Sequence, residues 1–276
     1  MRPLPPTPLV SIVTPSYNTG RFIEETLRSV QEQDYPRIEH IVLDSGSTDQ
    51  TPEILDRYPA VRVITHPGGV SEKVNHGFSI ATGEILAWIN ADDFYLPGAV
   101  SKAVTALQEH PDAGLVYCNY LHVDEESVEI DRERSKQAGF RELIEERNYI
   151  PHQTAFFRRE ALEQVGGEVN VRYPLVQDWD LWIRISKEFP ILHVDDWWAA
   201  FRVSRGQRSD VHKYAFWSQG RKMTREHGAR FFSPLFWDYW RGKVSRAWRI
   251  LARGDLGTFA AKLRDFVLGF GRSRSD

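Results

Sequence analysis

The chain is expected to form an α/β fold, a mostly parallel, Rossmann-like central sheet flanked by helices, with a helical C-terminal extension. Three observations predict it. Short β-rich apolar runs alternate with helix-periodic stretches from residue 9 to about residue 90, the β-α-β order that builds a parallel sheet with right-handed crossovers. Acidic clusters follow two of those runs directly, Asp44-Ser-Gly-Ser-Thr-Asp49 and Asn90-Ala-Asp-Asp93, which places carboxylates on the edge where open α/β sheets bind ligands. The last sixty or so residues carry apolar residues at helical spacing without strand patterns.

The elements follow in order. Residues 9–14 read as a buried strand, and Thr19-Gly20 lead into a helix with Ile23, Leu27 and Val30 on one face. Residues 38–44 form the second strand, and Thr51-Pro52 signal a second helix start. Residues 61–65 form the third strand. Val74, Phe78 and Ala81 share a face of the third helix, and residues 84–89 form the fourth strand. Beyond residue 110 the pattern loosens. Strands are expected at 114–123 and 152–157, helices at 158–165 and 178–187, and an extended segment at 191–203.

With 276 residues the chain is long enough for one large domain or a domain with an appendage. Apolar content of 41% and charged content of 26% are ordinary for a globular protein. One cysteine, Cys118, excludes a disulfide framework and a cysteine zinc site within one chain. It reads as a buried strand residue. Residues 1–8 are proline-rich, without a hydrophobic signal core, and are expected to be a disordered tail. No uncharged apolar run approaches the roughly 18–20 residues of a membrane span, so the expected location is the cytoplasm. Fourteen Lys/Arg against five Asp/Glu give residues 211–276 a net charge of +9 and leave −12 on the rest. An acidic body argues against nucleic acid as the main ligand.

The acidic clusters point to chemistry. Bunched carboxylates repel one another and are normally shared by a cation or a hydrogen-bonding ligand. In an extended segment Asn90 and Asp92 would share a face and point at one ligand, a set of oxygens suited to Mg2+ or Mn2+ bridged to a diphosphate. Asp44, ending the second strand, is placed to accept from a ribose hydroxyl or a base N–H. Asp49 fits a helix cap better. The turn after strand one, Thr14-Pro-Ser-Tyr-Asn18, lacks a G-x-G-x-x-G pattern, so a dinucleotide-binding reading loses its main support. A third cluster, Gln177-Asp-Trp-Asp180, would supply a base. Asp180 and Arg184 stand at i and i+4, the spacing of a helix-surface ion pair.

These segments together resemble the inverting family 2 glycosyltransferases of the GT-A fold. The matching stretches are Val10-Ser-Ile-Val-Thr-Pro-Ser-Tyr-Asn18, Leu43-Asp-Ser-Gly-Ser-Thr-Asp49, Ala81-Thr-Gly-Glu84, Asn90-Ala-Asp-Asp93 with Pro97-Gly98, and Gln177-Asp-Trp-Asp-Leu-Trp-Ile-Arg184. They occur in the family's order over roughly residues 9–205. The resemblance implies a donor half at 9–110, an acceptor-binding and catalytic half at 111–208, and a basic amphipathic extension at 209–276. It implies that Thr14, Pro15, Ser16 and Asp44 line a nucleotide pocket, joined on the donor side by Lys73, Asn75, Asn90 and Asp93. It further implies that Asp92 holds a divalent cation, Mn2+ or Mg2+, and that Asp178 is the catalytic base. Trp179 and His152 would face the acceptor. A departure stands beside the match: many relatives carry a histidine in the loop after Phe201-Arg202, where this chain has Val203-Ser204-Arg205 and no histidine before His212. Water, Ser204 or His212 would then complete a metal shell, or Arg205 or Arg208 would neutralise diphosphate directly.

The implied partners are a nucleotide-sugar donor, with UDP as the family's habit, and a glycan or lipid-linked acceptor. In the basic extension Trp237, Trp240, Val244, Trp248 and Leu251 recur on one helical face, with Arg246, Arg249 and Arg253 opposite, and Phe259, Leu263, Phe266 and Phe270 form a second stripe. Two readings stand open: packing on the domain or in a homodimer, and peripheral docking on the anionic inner face of a membrane. Two rivals to transfer also stand. A sugar-phosphate nucleotidyltransferase would need a glycine-rich, basic loop after strand one, which Pro15-Ser-Tyr-Asn18 does not provide. A catalytically silent nucleotide-sugar-binding module would not need Asp178.

Overall fold

A computed structural model describes residues 1–204, 213–235, 237 and 241. The chain divides into two units, residues 1–229 and 230–276. The first carries a nine-stranded sheet in the order β3-β2-β1-β4-β8-β6-β9-β5, with β7 paired to β6. The strands are β1 Val10–Ser16, β2 Ile38–Asp44, β3 Arg62–Thr65, β4 Ile85–Trp88, β5 Phe94–Tyr95, β6 Leu115–Val123, β7 Glu129–Glu133, β8 Phe156–Arg158 and β9 Ile191–Arg202. The helices are α1 Ile23–Gln31, α2 Thr51–Leu55, α3 Val70–Ile80, α4 Ala99–Glu109, α5 Phe140–Glu145, α6 Arg159–Gln164, α7 Gln177–Glu188 and α8 Lys213–Glu226.

The sheet has two halves of different character. β3, β2, β1 and β4 run parallel. In this half β1 is buried at every position, as expected of a parallel strand covered on both faces. Its register sets Ser16 beside Asp44 and Asp44 beside Thr65, so three strand ends finish level and open one edge. Beyond β4 the sheet turns mixed. β8 is antiparallel to both β4 and β6, while β6 and β9 run parallel. Helix α3 crosses β1 so closely that a Cβ on Gly77 would overlap the Val13 side chain.

The structure corrects several expectations. Residues 1–8 are not a disordered tail. Gln108 donates to the carbonyls of Pro5 and Pro6, Arg37 to Thr7, and Tyr35 to Pro8, while the Arg2 amide donates to Glu160. The expected strand at 152–157 begins as a 3-10 turn, His152–Thr154, and only Phe156–Arg158 are extended. Pro151 starts that turn, accepting bonds from both the amide and the hydroxyl of Thr154. Helix α8 belongs with the first unit rather than with a separate extension starting at 209. The Asp180–Arg184 pair forms at 2.8 Å, but Asp180 is buried rather than on the surface. Cys118 is buried in β6 as expected.

Candidate active site

A cavity of about 910 Å³ lies at the carboxyl ends of the parallel strands, within the range of pockets that take cofactor-sized ligands. The end of β1 supplies Pro15, the loop after it Tyr17 and Thr19, and the loop after β2 Ser45. The β3–α3 segment gives residues 67–70 and Lys73, and Asn90, Ala91 and Asp92 follow β4. The opposite wall comes from later in the chain. It comprises His152, Pro174, Leu175, Gln177, Asp178, Phe201, Ser204 and Phe216, with Trp88 at the back.

Of the residues expected at the site, Pro15, Lys73, Asn90, Asp92, His152 and Asp178 stand on this wall. Lys73 is buried and donates to the Ser16 carbonyl at 2.7 Å, so it ties α3 to the loop after β1. The others sit behind the wall, each engaged in building it. Thr14 is fully buried and bonds His40 across to β2, and Ser16 bonds Thr19. Asp44 accepts from the amides of Gly46 and Ser47 and from the Ser47 hydroxyl; three such bonds take most of its acceptor capacity. It shapes the 44–47 loop. Asp49 accepts from the amides of Thr51 and Gly20, joining the two loops just before α2, whose N-cap is Gln50 rather than Asp49. Asn75 exchanges two bonds with the Val169 backbone. Trp179 is fully buried, with its indole N–H donating to Leu143 O at 2.8 Å, so it packs where an acceptor contact was expected.

The segment 90–93 is a turn, closed by Asp93 N–H to Asn90 O at 3.1 Å, and not the extended segment assumed for a shared face. Asn90 and Asp92 still reach the cavity, but Asp93 turns inward. Its Oδ1 accepts the Arg202 amide at 3.0 Å. Its Oδ2 lies 3.8 Å from His152 Nε2, and neither atom has a hydrogen-bond partner among the described residues. Arg202, the last residue of β9, is itself buried. Its guanidinium donates to the carbonyls of Asp92 and Asp124, to the Ser127 hydroxyl and to Glu25. One buried cation thus fastens the 90–93 turn, the β6–β7 turn and α1 together. An arginine ending the apolar run Trp-Trp-Ala-Ala-Phe is the sequence signal that could have found it, because arginine is almost never buried without partners.

Electrostatics separate the carboxyls. Burial raises Asp92 above the ordinary carboxylate range, against the pull of Arg202. Burial and repulsion from Asp92 push Asp93 well above it. Burial lowers His152 to about 4, so its ring is neutral. Asp178, half-buried in the first turn of α7, is pushed up by burial to about 6, although the first-turn amides and Asn148 oppose the shift. A helix start favours the ionised carboxyl; burial is the larger effect, and the group still ionises by neutral pH.

The profile of glycosyl transferase family 2 matches residues 11–166. The chain belongs to glycosyl transferase family 2. Among its relatives, the glycosyltransferase GlyG of Streptococcus pneumoniae serotype 4 is 36% identical over 123 residues, covering 42% of this chain and 40% of GlyG. The chain therefore spans less than half the length of that relative. The sheet superposes on S. aureus TarS 1-349 in complex with UDP-GlcNAc with a TM-score of 0.64 and 17% identity, covering 84% of this chain and 71% of TarS 1-349. It also superposes on the mannosyltransferase PcManGT of Pyrobaculum calidifontis in complex with GDP-Man and Mn2+, with a TM-score of 0.64 and 22% identity, covering 98% and 83% of the two chains. The fold is the GT-A fold of this family.

A cation fits this family 2 site as a partner of the donor rather than of the protein alone. No cluster of three or more metal-ligating side chains occurs among the described residues, and Asp92 and Asp178 are the described carboxylates on the cavity wall. Ions such as Mg2+ are commonly held by one or two carboxylates plus substrate phosphates. The unpartnered Asp93 Oδ2 and the raised carboxyls beside it mark a place short of positive charge. Ser204 reaches the cavity, whereas Arg205, Arg208 and His212 lie outside the described residues. So do the apolar stripes from Trp240 onward. Trp237 is described and exposed. Among the described residues no helix is long and apolar enough to cross a membrane.

Proposed function

We propose that this chain is an inverting glycosyltransferase that moves a sugar from a nucleotide-α-sugar, UDP-linked by preference, to an acceptor hydroxyl. The observation that carries the proposal is Asp178: a carboxyl raised to about 6 by burial, on the cavity wall shared with Asp92 and Lys73. A base poised near neutral pH combines the deprotonated form with useful proton affinity. Asp178 accepts the proton of the acceptor hydroxyl. The freed oxygen attacks the anomeric carbon from the face opposite the leaving group, the C–O bond to phosphate breaks, and a β-linked glycoside and a nucleoside diphosphate result. Asp92 would hold Mn2+ or Mg2+, which offsets charge on the departing diphosphate when bound. Asn148 donates to Asp178 Oδ2 at 3.0 Å and so helps to orient the carboxyl. Pro15, Tyr17 and Ser45 take the nucleotide end, with Asp44 acting through the loop it braces.

The nucleotidyltransferase reading is weaker, because the β1 end and the loop after it place proline and tyrosine against the cavity, while the loop's Arg21 pairs with Glu125 and Glu126 and does not line it. One assay separates transfer from silent binding: a panel of nucleotide sugars scored for Mn2+- or Mg2+-dependent release of nucleoside diphosphate. Release from none of them would leave a binding module. The acceptor is placed in cell-surface polysaccharide or glycolipid synthesis, at the inner membrane face. The +9 charge of residues 211–276 supports that placement. Co-sedimentation with anionic vesicles at low salt is expected; protein that stays in the supernatant would favour packing or a homodimer for the C-terminal stripes.

A further inference from the structure

Among the aromatic side chains that line the cavity, Phe216 is one that the transfer chemistry leaves without a role. Phe216, on α8, lines it together with Leu175 and Asp178. Its position is built from behind. The ring stacks on buried Trp179, with centroids 6.3 Å apart and planes 27° from parallel, and Trp179 is the residue after Asp178. Helix α8 sits close enough that a Cβ on Gly220 would come within 2.7 Å of the Trp179 ring. Gln219 accepts the Leu175 amide at 3.1 Å, which fixes the segment leading into Asp178. Helix α8 lies beyond residues 11–166, the part matched by the family profile.

We infer that Phe216 is a specificity-determining residue that receives the acceptor as a neutral pyranoside ring; this rests on the transferase reading above. A hydroxyl engaged by Asp178 belongs to a group that must lie against the neighbouring wall. The face of a phenyl ring carries negative charge density and suits the C–H-bearing face of a sugar. The only cation described on the cavity wall, Lys73, is committed to the loop after β1 on the donor side. An anionic acceptor would meet the Asp178 carboxylate with no cation described beside it.

The test uses the full chain, the donor that gives release, and methyl and octyl glycosides of glucose, galactose, mannose and N-acetylglucosamine as probes. At least one methyl glycoside is expected to be glycosylated. Phe216→Leu, which keeps apolar bulk but loses the ring face, is expected to raise the acceptor KM about tenfold, the scale of an aromatic contact. It should also shift the ratio of donor hydrolysis to transfer in the same direction. Phe216→Trp is expected to restore the acceptor KM. Unchanged acceptor KM in Phe216→Leu would overturn the inference, and so would transfer to octyl but to no methyl glycosides, which would assign the wall to an alkyl chain. Donor release that no glycoside accelerates would overturn the acceptor class and leave the transferase reading standing. No release from any donor would remove both.

Discussion

The 90–93 turn and the first turn of α7 each pair one carboxyl on the cavity wall with a neighbour turned inward, and they treat the inward one in opposite ways. Asp180 is satisfied. Burial would raise it, but His227 at 3.0 Å and Arg184 at 2.8 Å hold it below the ordinary carboxylate range. Asp93 receives one amide, has an unpartnered oxygen, and is pushed well above that range. The start of α7 is therefore electrostatically complete without ligand and can hold a base in one position. The 90–93 turn has one buried acid, Asp93, one half-buried acid, Asp92, and one guanidinium, which braces the backbone more than it neutralises the side chains. In the proposed function this turn is the place that receives positive charge.

The comparison is tested most severely at Asp178. Asp178→Asn is expected to cut transfer by about 10²–10⁴ with little change in donor affinity, because a base acts on the acceptor. Rates should fall below about pH 6 as the carboxyl protonates. Stability should move the other way. The folded carboxyl titrates near 6 and the unfolded one near 4. Below both values the group contributes nothing, between them stability drops as pH rises, and above 6 the folded state bears the full cost. Asp178→Asn should thus stabilise the protein by roughly 1–3 kcal/mol at pH 7 and by nothing near pH 3, read from denaturant midpoints. Loss of stability at pH 7 would contradict a buried, ligand-ready base.

Next in size is Arg202→Met. Removing a buried cation from its carboxylate and carbonyl partners costs about 3–5 kcal/mol, and donor binding should weaken with it as the Asp92 carbonyl loses its anchor. A midpoint within about 1 kcal/mol of wild type would mean the 90–93 turn is held by other contacts. The two inward acids then separate. Asp180→Asn should cost about 1–3 kcal/mol, with the deficit shrinking as pH falls through the depressed folded pKa. Asp93→Asn should cost under about 1 kcal/mol, since its amide carbonyl still accepts the Arg202 N–H. Reversed costs would break the comparison. The remaining effects concern the wall carboxyl. Calorimetry with UDP and GDP, in Mn2+ or EDTA, should show Asp92→Ala losing the metal-dependent part of affinity, at least about tenfold. Asn90→Asp should keep metal dependence. Equal affinity with and without metal in wild type and Asp92→Ala would remove the ion from Asp92.

Much of this was legible because parallel strands buried on both faces read as unbroken apolar runs, and helices α1 and α3 keep their period. Helix α4 was not, because half of its buried face is alanine and contrasts weakly with the rest. Residues 1–8 misled for a chemical reason: prolines lack N–H donors but keep carbonyls, and Gln108, Arg37 and Tyr35 supply the missing half of each bond. At the site, strand-end motifs located the cavity but not which side chains would reach it. Thr14, Ser16, Asp44 and Asn75 bond neighbouring segments behind the wall, and spacing cannot tell a wall from its buttress. Phe216 was hidden by distance, since nothing in its neighbourhood announces a contact with Trp179.

Cys118 gives the molecule a clock of its own. It sits fully buried in β6, paired with β9 in the mixed half of the sheet, and burial raises its thiol far above the ordinary cysteine range. As the chain's single thiol, it is shielded from thiol reagents until β6 parts from its neighbours. The labelling rate under native conditions therefore counts openings of the sheet interior, one event per modified molecule. Run with and without a nucleoside diphosphate, the same measurement reports how far a ligand at the strand ends steadies strands on the far half of the sheet.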